Sequence, residues 1–320
     1  MFEIFLKTLA IFLMIFAGYL VRRLKVVDES FNRQLSLLLI NLFYPALILS
    51  SVAKNYTLES LAANWTLPAG AAIIMCAGWA LGRLVLPWLQ RQPEMLRRIF
   101  HFDCTMNNYS FLPIMLVAGL LGERAVAQVV FASLGAEIVM WTLGVQSLTG
   151  HAVSRRTIRN LLTMPMGALA FAVGLLICRF LLARLGMHAA NLPTPTHHVG
   201  AMLLTTCQMI GQATIPVSAI ICGSRMASLQ VDHLFSLPIL GMLGMRLLAI
   251  PALAICILSL LPLSRPVAQV LMVVAVQPCS MASVTMAEIY KTDSRFAAAA
   301  VLVTHVACLL TIPVWLRFLM

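Results

Sequence analysis

Apolar segments about as long as a membrane is thick follow one another along almost the whole chain. A helix needs ~20 predominantly apolar residues to cross a bilayer, and ten segments of the sequence meet this requirement. Only 10% of the residues are charged, whereas soluble domains contain about one quarter. We therefore predict an all-α, multi-pass integral membrane protein. The predicted spans are 3–21, 35–53, 65–86, 99–121, 125–149, 158–183, 199–222, 233–261, 267–289 and 296–319.

Basic residues are distributed unevenly among the loops between these spans. The odd-numbered loops contain most of the Lys and Arg residues, including Arg225 after the seventh span. Cytoplasmic loops are enriched in Lys and Arg, so we expect the odd loops in the cytoplasm and both termini outside. Membrane orientation thus accounts for the net charge of +11, and no nucleic-acid partner is predicted. We expect the protein in a bacterial inner (plasma) membrane.

Two of the spans are interrupted near their centres by polar residues and proline. Proline removes a backbone donor, and unpaired backbone groups at membrane depth are tolerated only where protein buries them or where they line a cavity. Interrupted spans at matching positions of two halves indicate the binding site of a transporter. The predicted substrate-binding residues are Asn107, Asn108 and Pro113 in the fourth span, and Gln277 and Pro278 in the ninth.

Several landmarks recur at an almost constant interval along the chain. Each half contains five spans, an odd number, so the second half enters the membrane from the opposite side. We predict one transport domain, 1–320, built from a first repeat at 1–150 and an inverted repeat at 155–320, with interrupted helices 4 and 9 crossing. The corresponding pairs are Asn107 and Gln277 (170 positions), Pro45 and Pro216 (171), Pro68 and Pro238 (170), and Glu123 and Asp293 (170).

Such a crossing suits a small anion. Each interruption creates a helix N-terminus that carries roughly half a positive charge, and free N–H groups there bind anions. The side chains of Asn107, Asn108 and Gln277 add amide donors, and a carboxylate accepts several donors at once. The alternative is that these amides only cap the broken backbone or bond neighbouring helices.

Five ionisable residues within the spans are candidates for ion coupling or charge pairing. Asp103 lies one turn before the first interruption, where it either takes a coupling proton or is solvated near the cytoplasmic surface. Arg246 either attracts the anion or pairs with an acid such as Glu137. Glu288 is expected at the membrane interface. His305 titrates in a range that suits proton coupling, and the alternative is a packing role.

The sequence contains no motif for catalysis or nucleotide binding. HExxH, GxSxG and GxxxxGK[ST] are absent, which disfavours an enzyme and an ATP-driven pump. The eight cysteines form no CxxC pair, so no metal site and no cofactor is predicted.

Three regions resemble a known family. The segment Asn-Leu-Phe-Tyr-Pro-Ala-Leu-Ile-Leu-Ser-Ser-Val at 41–52 resembles the second span of the auxin efflux carrier family. Asn107 through Pro113, followed by Gly122-Glu123, resembles its fourth span, and the stretch from Pro278 to Pro313 resembles its ninth and tenth spans. The resemblance covers essentially the whole chain.

This resemblance implies ten spans in a 5+5 inverted repeat, with a scaffold from spans 1, 2, 6 and 7 and a moving unit from the rest. It implies transport of small organic anions, which are malonate- or malate-type carboxylates in bacterial members. It places Asn107, Asn108, Pro113 and Pro278 at the crossover. Where the family usually has glycines, this chain has Tyr109-Ser110-Phe111-Leu112, so we expect a narrower cavity or a different substrate.

We therefore expect a secondary active transporter that moves a small organic anion by alternating access, coupled to protons or sodium. A homodimer formed through the scaffold would suit this architecture. Two alternatives remain open, namely a sodium-coupled symporter that resembles the bile-acid carriers and a membrane sensor that does not transport.

Overall fold

A computed structural model describes residues 2–151, 163–185, 194–228 and 236–319. Within these ranges the chain is helical, and its only β-type pairing is one isolated bridge. The predicted all-helical class is confirmed. The helices are α1 Phe2–Arg23, α2 Glu29–Asn55, α3 Leu58–Leu89, α4 Glu94–Thr105, α5 Phe111–Leu120, α6 Glu123–Thr149, α7 Met164–Arg184, α8 Thr194–Gln212, α9 Thr214–Ser228, α10 Leu237–Ser259, α11 Arg265–Ala275, α12 Ser283–Ile289 and α13 Ser294–Leu319.

Eight stretches are long and apolar enough to cross a membrane, namely α1, α2, α3, α6, α7, α8 with α9, α10 and α13. The chain is therefore a multi-pass membrane protein. The predicted fourth and ninth spans are each two shorter helices, α4 with α5 and α11 with α12. The predicted starts of the sixth span, at 158, and of the eighth, at 233, lie outside the described residues. The count of ten spans and the inverted repeat stay predictions.

Two prolines inside long helices follow a widened turn. Pro45 and Pro251 each come after five residues of π-helix, Leu39–Phe43 and Met245–Ala249. Proline lacks a donor and clashes with the preceding turn, and a π-turn accommodates such local departures from α-helical bonding. The second widened turn contains Arg246, whose side chain is completely buried.

The helices pack in two groups. In the first group α1 packs along α9, and α7 and α8 pack on α2. In the second group α3 packs on α4, α6 and α10, and α12 packs on α13. The helix α5 contacts α1 and α9 of the first group as well as α6 and α11 of the second. This grouping coincides with the scaffold and the moving unit that the resemblance implies, whereas the movement itself stays a prediction.

Glycines permit the closest approach between helices of the first group. Gly223 of α9 lies against the backbone of Ile15 in α1, and Gly18 of α1 lies against the backbone of Ile220. A Cβ atom at either glycine would overlap backbone atoms of the other helix. Membrane helices commonly use small residues for such contacts, so these two positions set the spacing between α1 and α9.

We expect Gly223→Ala to destabilise the protein by about 1–3 kcal/mol, because the added methyl group overpacks a rigid contact. The measurement is the midpoint of thermal denaturation of detergent-purified protein, followed by tryptophan fluorescence. Gly174→Ala in α7 is the matched control, since a Cβ there would meet no atom within 4 Å. Equal midpoints for the two variants would contradict the close approach.

Candidate functional site

The two interruptions meet inside the protein. The chain leaves the helical conformation at 106–110, between α4 and α5, and at 276–282, between α11 and α12. The two stretches form an isolated antiparallel bridge between Asn107 and Cys279. The polar residues that interrupt the predicted spans are thus brought together, although they lie far apart in the sequence.

Backbone groups released by the interruptions bond to one another. The Asn108 N–H donates to the Pro278 carbonyl at 2.9 Å, and the Ser280 N–H donates to the Met106 carbonyl at 3.4 Å. The N–H of Cys279 donates to a side-chain hydroxyl of α13 at 3.2 Å. These N–H groups, which we expected to be free for an anion, are therefore occupied within the protein. Side chains are the better candidates for anion donors.

Asn107 and Gln277 cap the end of α11. Asn107 Nδ2 donates to the Val274 carbonyl and Gln277 Nε2 donates to the Val273 carbonyl, both at 2.6 Å. Both side chains are completely buried. Among the described residues, neither amide oxygen has a hydrogen-bond partner. These contacts therefore match the alternative given above, in which the amides only cap backbone groups that the interruption leaves unpaired.

Asn108, the next residue, has different surroundings. Its Nδ2 lies 3.3 Å from Nε2 of His305, and Nδ1 of His305 lies 2.8 Å from the Val301 carbonyl. A carbonyl only accepts, so the pattern assigns the imidazole proton to Nδ1 and makes Nε2 the acceptor for Asn108. Asn108 thereby links the first interruption to α13.

Asn108 also lines a cavity of about 230 Å³ between the two helix groups. Most of the wall is apolar, and Asn108 and Arg225 supply strong donors. A wall of this kind suits a ligand with one polar end, which a few placed donors would orient. The cavity also touches Leu39 and Ile40 of α2, Phe111 and Met115 of α5, Ile221 of α9 and Met281 after α11.

Arg225 is a site residue that the sequence analysis placed only among the loop cations. It lies in the last turn of α9 and is half-buried. Its guanidinium donates to Oγ1 of Thr285 in α12 and to Oγ of Ser36 in α2, both at 3.3 Å. Arg225 therefore bridges the two helix groups beside the cavity. Its position at the end of an apolar span was the available signal.

Two charged residues, Asp103 and Arg246, are buried away from the cavity lining. Asp103 Oδ1 accepts a 2.5 Å hydrogen bond from Ser283 Oγ, and Arg246 donates to the Cys104 carbonyl at 3.0 Å. Asp103 and Arg246 are both completely buried, and each is close enough to feel the charge of the other. These two described residues do not form an ion pair within 4.0 Å. The acid whose charge acts on Arg246 is therefore Asp103, and the described residues Arg246 and Glu137 form no ion pair.

The remaining predicted residues lie in three different environments. Glu137 accepts a 2.8 Å hydrogen bond from the hydroxyl of Tyr109, one of the residues that replace the family's glycines. Glu288 is exposed near the end of α12, and its place at the membrane interface stays a prediction. Pro113 is buried in the first turn of α5. The structure thus gathers one cluster where the two interruptions meet, namely Asn107, Asn108, Gln277, Pro278 and His305.

A second cavity, of about 220 Å³, lies between the helix groups farther along α2. It touches Ser50, whereas the first cavity touches Ser36. Fourteen residues of helix span ~20 Å, so the two cavities lie toward opposite ends of α2. Lys54 and Glu123 line the second cavity and form an ion pair of 2.9 Å, which joins α2 to α6.

This architecture and the cavities between its two helix groups are those of a membrane transporter, and sequence comparison supports that class. The profile of the family described as Membrane transport protein matches residues 3–164 and 161–316. The chain therefore belongs to this family, and the resemblance to the auxin efflux carriers is confirmed.

Two relatives differ in how much of the chain they match. The chain is 20% identical over 315 residues to the uncharacterized transporter MJ1031 of Methanocaldococcus jannaschii, and the match covers 96% of each protein. It is 26% identical over 99 residues to Protein PIN-LIKES 4 of Arabidopsis thaliana, which covers 31% of this chain and 24% of that protein.

Proposed function

We propose that the protein is a secondary active transporter of a small organic anion. The observation that carries the proposal is the cavity between the two helix groups, where Asn108 and Arg225 face an otherwise largely apolar wall. An amide donor and a guanidinium recognise a carboxylate. Membership of a transporter family supports the class, and the paired interruptions support a site at the crossing.

The position of the two cavities supports alternating access. We propose ten spans in a 5+5 inverted repeat with crossing helices 4 and 9. The group that contains α3 and α6 would move against the group that contains α1 and α9. The Lys54–Glu123 ion pair joins the groups at one end of α2, while the Arg225 cavity lies toward the other. With odd loops in the cytoplasm and both termini outside, the Arg225 cavity lies toward the cytoplasmic side of a bacterial inner membrane and the Lys54 cavity toward the outer side.

Proton coupling is the simplest energy source. Asp103 and His305 are buried close to the crossing, and both side chains can hold or release a proton. Sodium coupling is the alternative. The buried oxygens of Asn107 and Gln277 favour it, since neither has a hydrogen-bond partner in the described part of the chain and hard cations prefer oxygen ligands.

The test is uptake of radiolabelled malonate, malate, succinate, lactate and indole-3-acetate into proteoliposomes, with and without proton and sodium gradients. We expect wild-type protein to accumulate at least one of them, and Asn108→Ala to lose about tenfold or more. A hydrogen bond to a charged group contributes about 1.5–3 kcal/mol, and every ~1.4 kcal/mol is tenfold in affinity.

Asn64→Ala is the matched control, because within the described residues the Asn64 side chain bonds only the nearby Ser60 carbonyl. It should transport as wild type does. Absence of uptake of every anion by folded wild-type protein would contradict the proposal. The gradient that drives accumulation identifies the coupling ion.

A further inference from the structure

Among the described residues, Arg225 at the cavity has hydroxyl partners and no acidic one. Arg225 donates to Thr285 and Ser36, and no carboxylate of the described residues lies within 4.0 Å of it. A guanidinium has five N–H donors in a planar fork that fits a carboxylate with two parallel bonds. Arg225 therefore keeps donors for an anion in the cavity.

A second cation occupies the corresponding position of the other half. Lys54 and Arg225 are 171 residues apart, the same interval as Pro45 and Pro216, so each follows its proline by nine residues. Each lies in the last turn of its helix, and each lines one of the two cavities between the helix groups. Lys54 and Arg225 thus have equivalent positions in the sequence repeat and equivalent positions beside the two cavities.

The two cations differ in their partners. Lys54 contacts the carboxylate of Glu123 at 2.9 Å. The counterpart of Glu123 in the second half is Asp293, at an interval of 170 residues. Asp293 accepts a 2.9 Å hydrogen bond from the Phe296 N–H at the start of α13, and the described chain has no ion pair between Asp293 and Arg225.

We propose that Arg225 and Lys54 are equivalent carboxylate-binding groups of the transporter, each serving one side of the membrane. In this conformation Arg225, with Asn108, binds the carboxylate of an anion that enters from the cytoplasm. On the other side of the membrane, the Glu123 carboxylate is bound to Lys54 in the place that the anion would take. In the opposite conformation Lys54 is released from Glu123, and Asp293 takes the place of the anion on Arg225. The inference rests on the proposed anion transport.

The lining of the cavity also narrows the class of anion. One guanidinium and one amide recognise a single carboxylate. The rest of the molecule would contact Ile40, Phe111 and Ile221, where a second carboxylate would be desolvated without a cation. The cavity therefore favours a monocarboxylate with an apolar body over a dicarboxylate.

The test measures initial uptake in vesicles of both orientations, with the best substrate of the panel. We expect Arg225→Gln to raise KM about tenfold when substrate is supplied on the cytoplasmic side, in inside-out vesicles, and to leave KM on the outer side nearly unchanged. Lys54→Gln should show the reverse, because each loses a charged hydrogen bond at one side only. Arg91→Gln, which removes an exposed cation, should change neither value.

A third variant gives an effect of opposite sign. Glu123→Gln removes the carboxylate that competes for Lys54. The KM on the outer side should therefore fall about threefold, as expected for the loss of an exposed ion pair. The KM of Glu123→Gln on the outer side tests the role of Lys54 even if Arg225→Gln does not fold. Equal changes of KM on both sides, or none in folded variants, would overturn the side-specific roles while leaving anion transport intact. Failure of the wild-type protein to transport any anion would instead overturn the proposed function.

Discussion

Replacement of Arg246 by methionine is expected to remove most of the folded protein. Arg246 and Asp103 are both completely buried and attract each other. Methionine would leave the Asp103 carboxylate without a compensating charge and would free the Cys104 carbonyl, which accepts from Arg246 at 3.0 Å. An unpaired buried carbonyl costs about 1–3 kcal/mol, and the loss of the attraction to Asp103 adds to this cost. Together they are a large part of the ~5–15 kcal/mol that stabilises a typical protein.

The measurement is the yield of monodisperse protein in detergent and its denaturation midpoint. Asp103→Asn should also destabilise the protein, because it leaves the guanidinium unpaired. The double variant Asp103→Asn with Arg246→Met should recover much of the loss, since it removes both charges, and the double-mutant cycle gives the coupling. Arg91→Met, at an exposed position, is the control. Losses that simply add would mean that the two charges are independent.

The positions of the interruptions were predictable because their causes are local. Proline and polar side chains inside an apolar segment disturb a membrane helix wherever it packs, and the chain departs from helix at 106–110 and 276–282, as the sequence indicates. Multi-pass membrane character was predictable for a similar reason, since it depends on the length and composition of each segment alone.

The division of roles between Asn107 and Asn108 was not predictable. Successive side chains in an extended stretch point to opposite sides, so one residue turns toward α11 and the next toward the cavity and α13. Which side is which depends on the pairing of Asn107 with Cys279, a contact between distant parts of the chain. Sequence alone indicated that both were polar and buried.

The surroundings of Arg225 and Arg246 depend on long-range packing and were therefore not predictable from the sequence. In the sequence Arg225 stands at the end of an apolar span, as many loop cations do. Its place at the cavity arises only because α2 and α12 lie beside α9. Likewise, Arg246 is near Asp103 and not Glu137 because the π-turn of α10 that contains Arg246 packs against α4.

The exchange of Asn107 for aspartate is expected to prevent folding. Nδ2 of Asn107 donates to the Val274 carbonyl at 2.6 Å, and an aspartate would place an acceptor oxygen against that carbonyl. The position is completely buried, and an uncompensated buried ion costs several kcal/mol. We expect little or no monodisperse Asn107→Asp protein, although aspartate has nearly the shape of asparagine.

The same exchange at the neighbouring residue should give a folded protein that does not transport. Asn108 contacts Nε2 of His305 at 3.3 Å, and a proton on that nitrogen would let the imidazole donate to the new carboxylate. The fold is then kept, but the carboxylate in the cavity competes for Arg225 and repels an anion.

Uptake by Asn108→Asp should therefore fall about tenfold or more, since like charges in such a site cost several kcal/mol, while the denaturation midpoint stays near that of wild type. Folded Asn107→Asp with normal uptake, or Asn108→Asp with undiminished anion uptake, would refute this division of roles. The comparison also reports the sign of the substrate's charge, because a cationic substrate would bind the Asn108→Asp cavity more tightly and not more weakly.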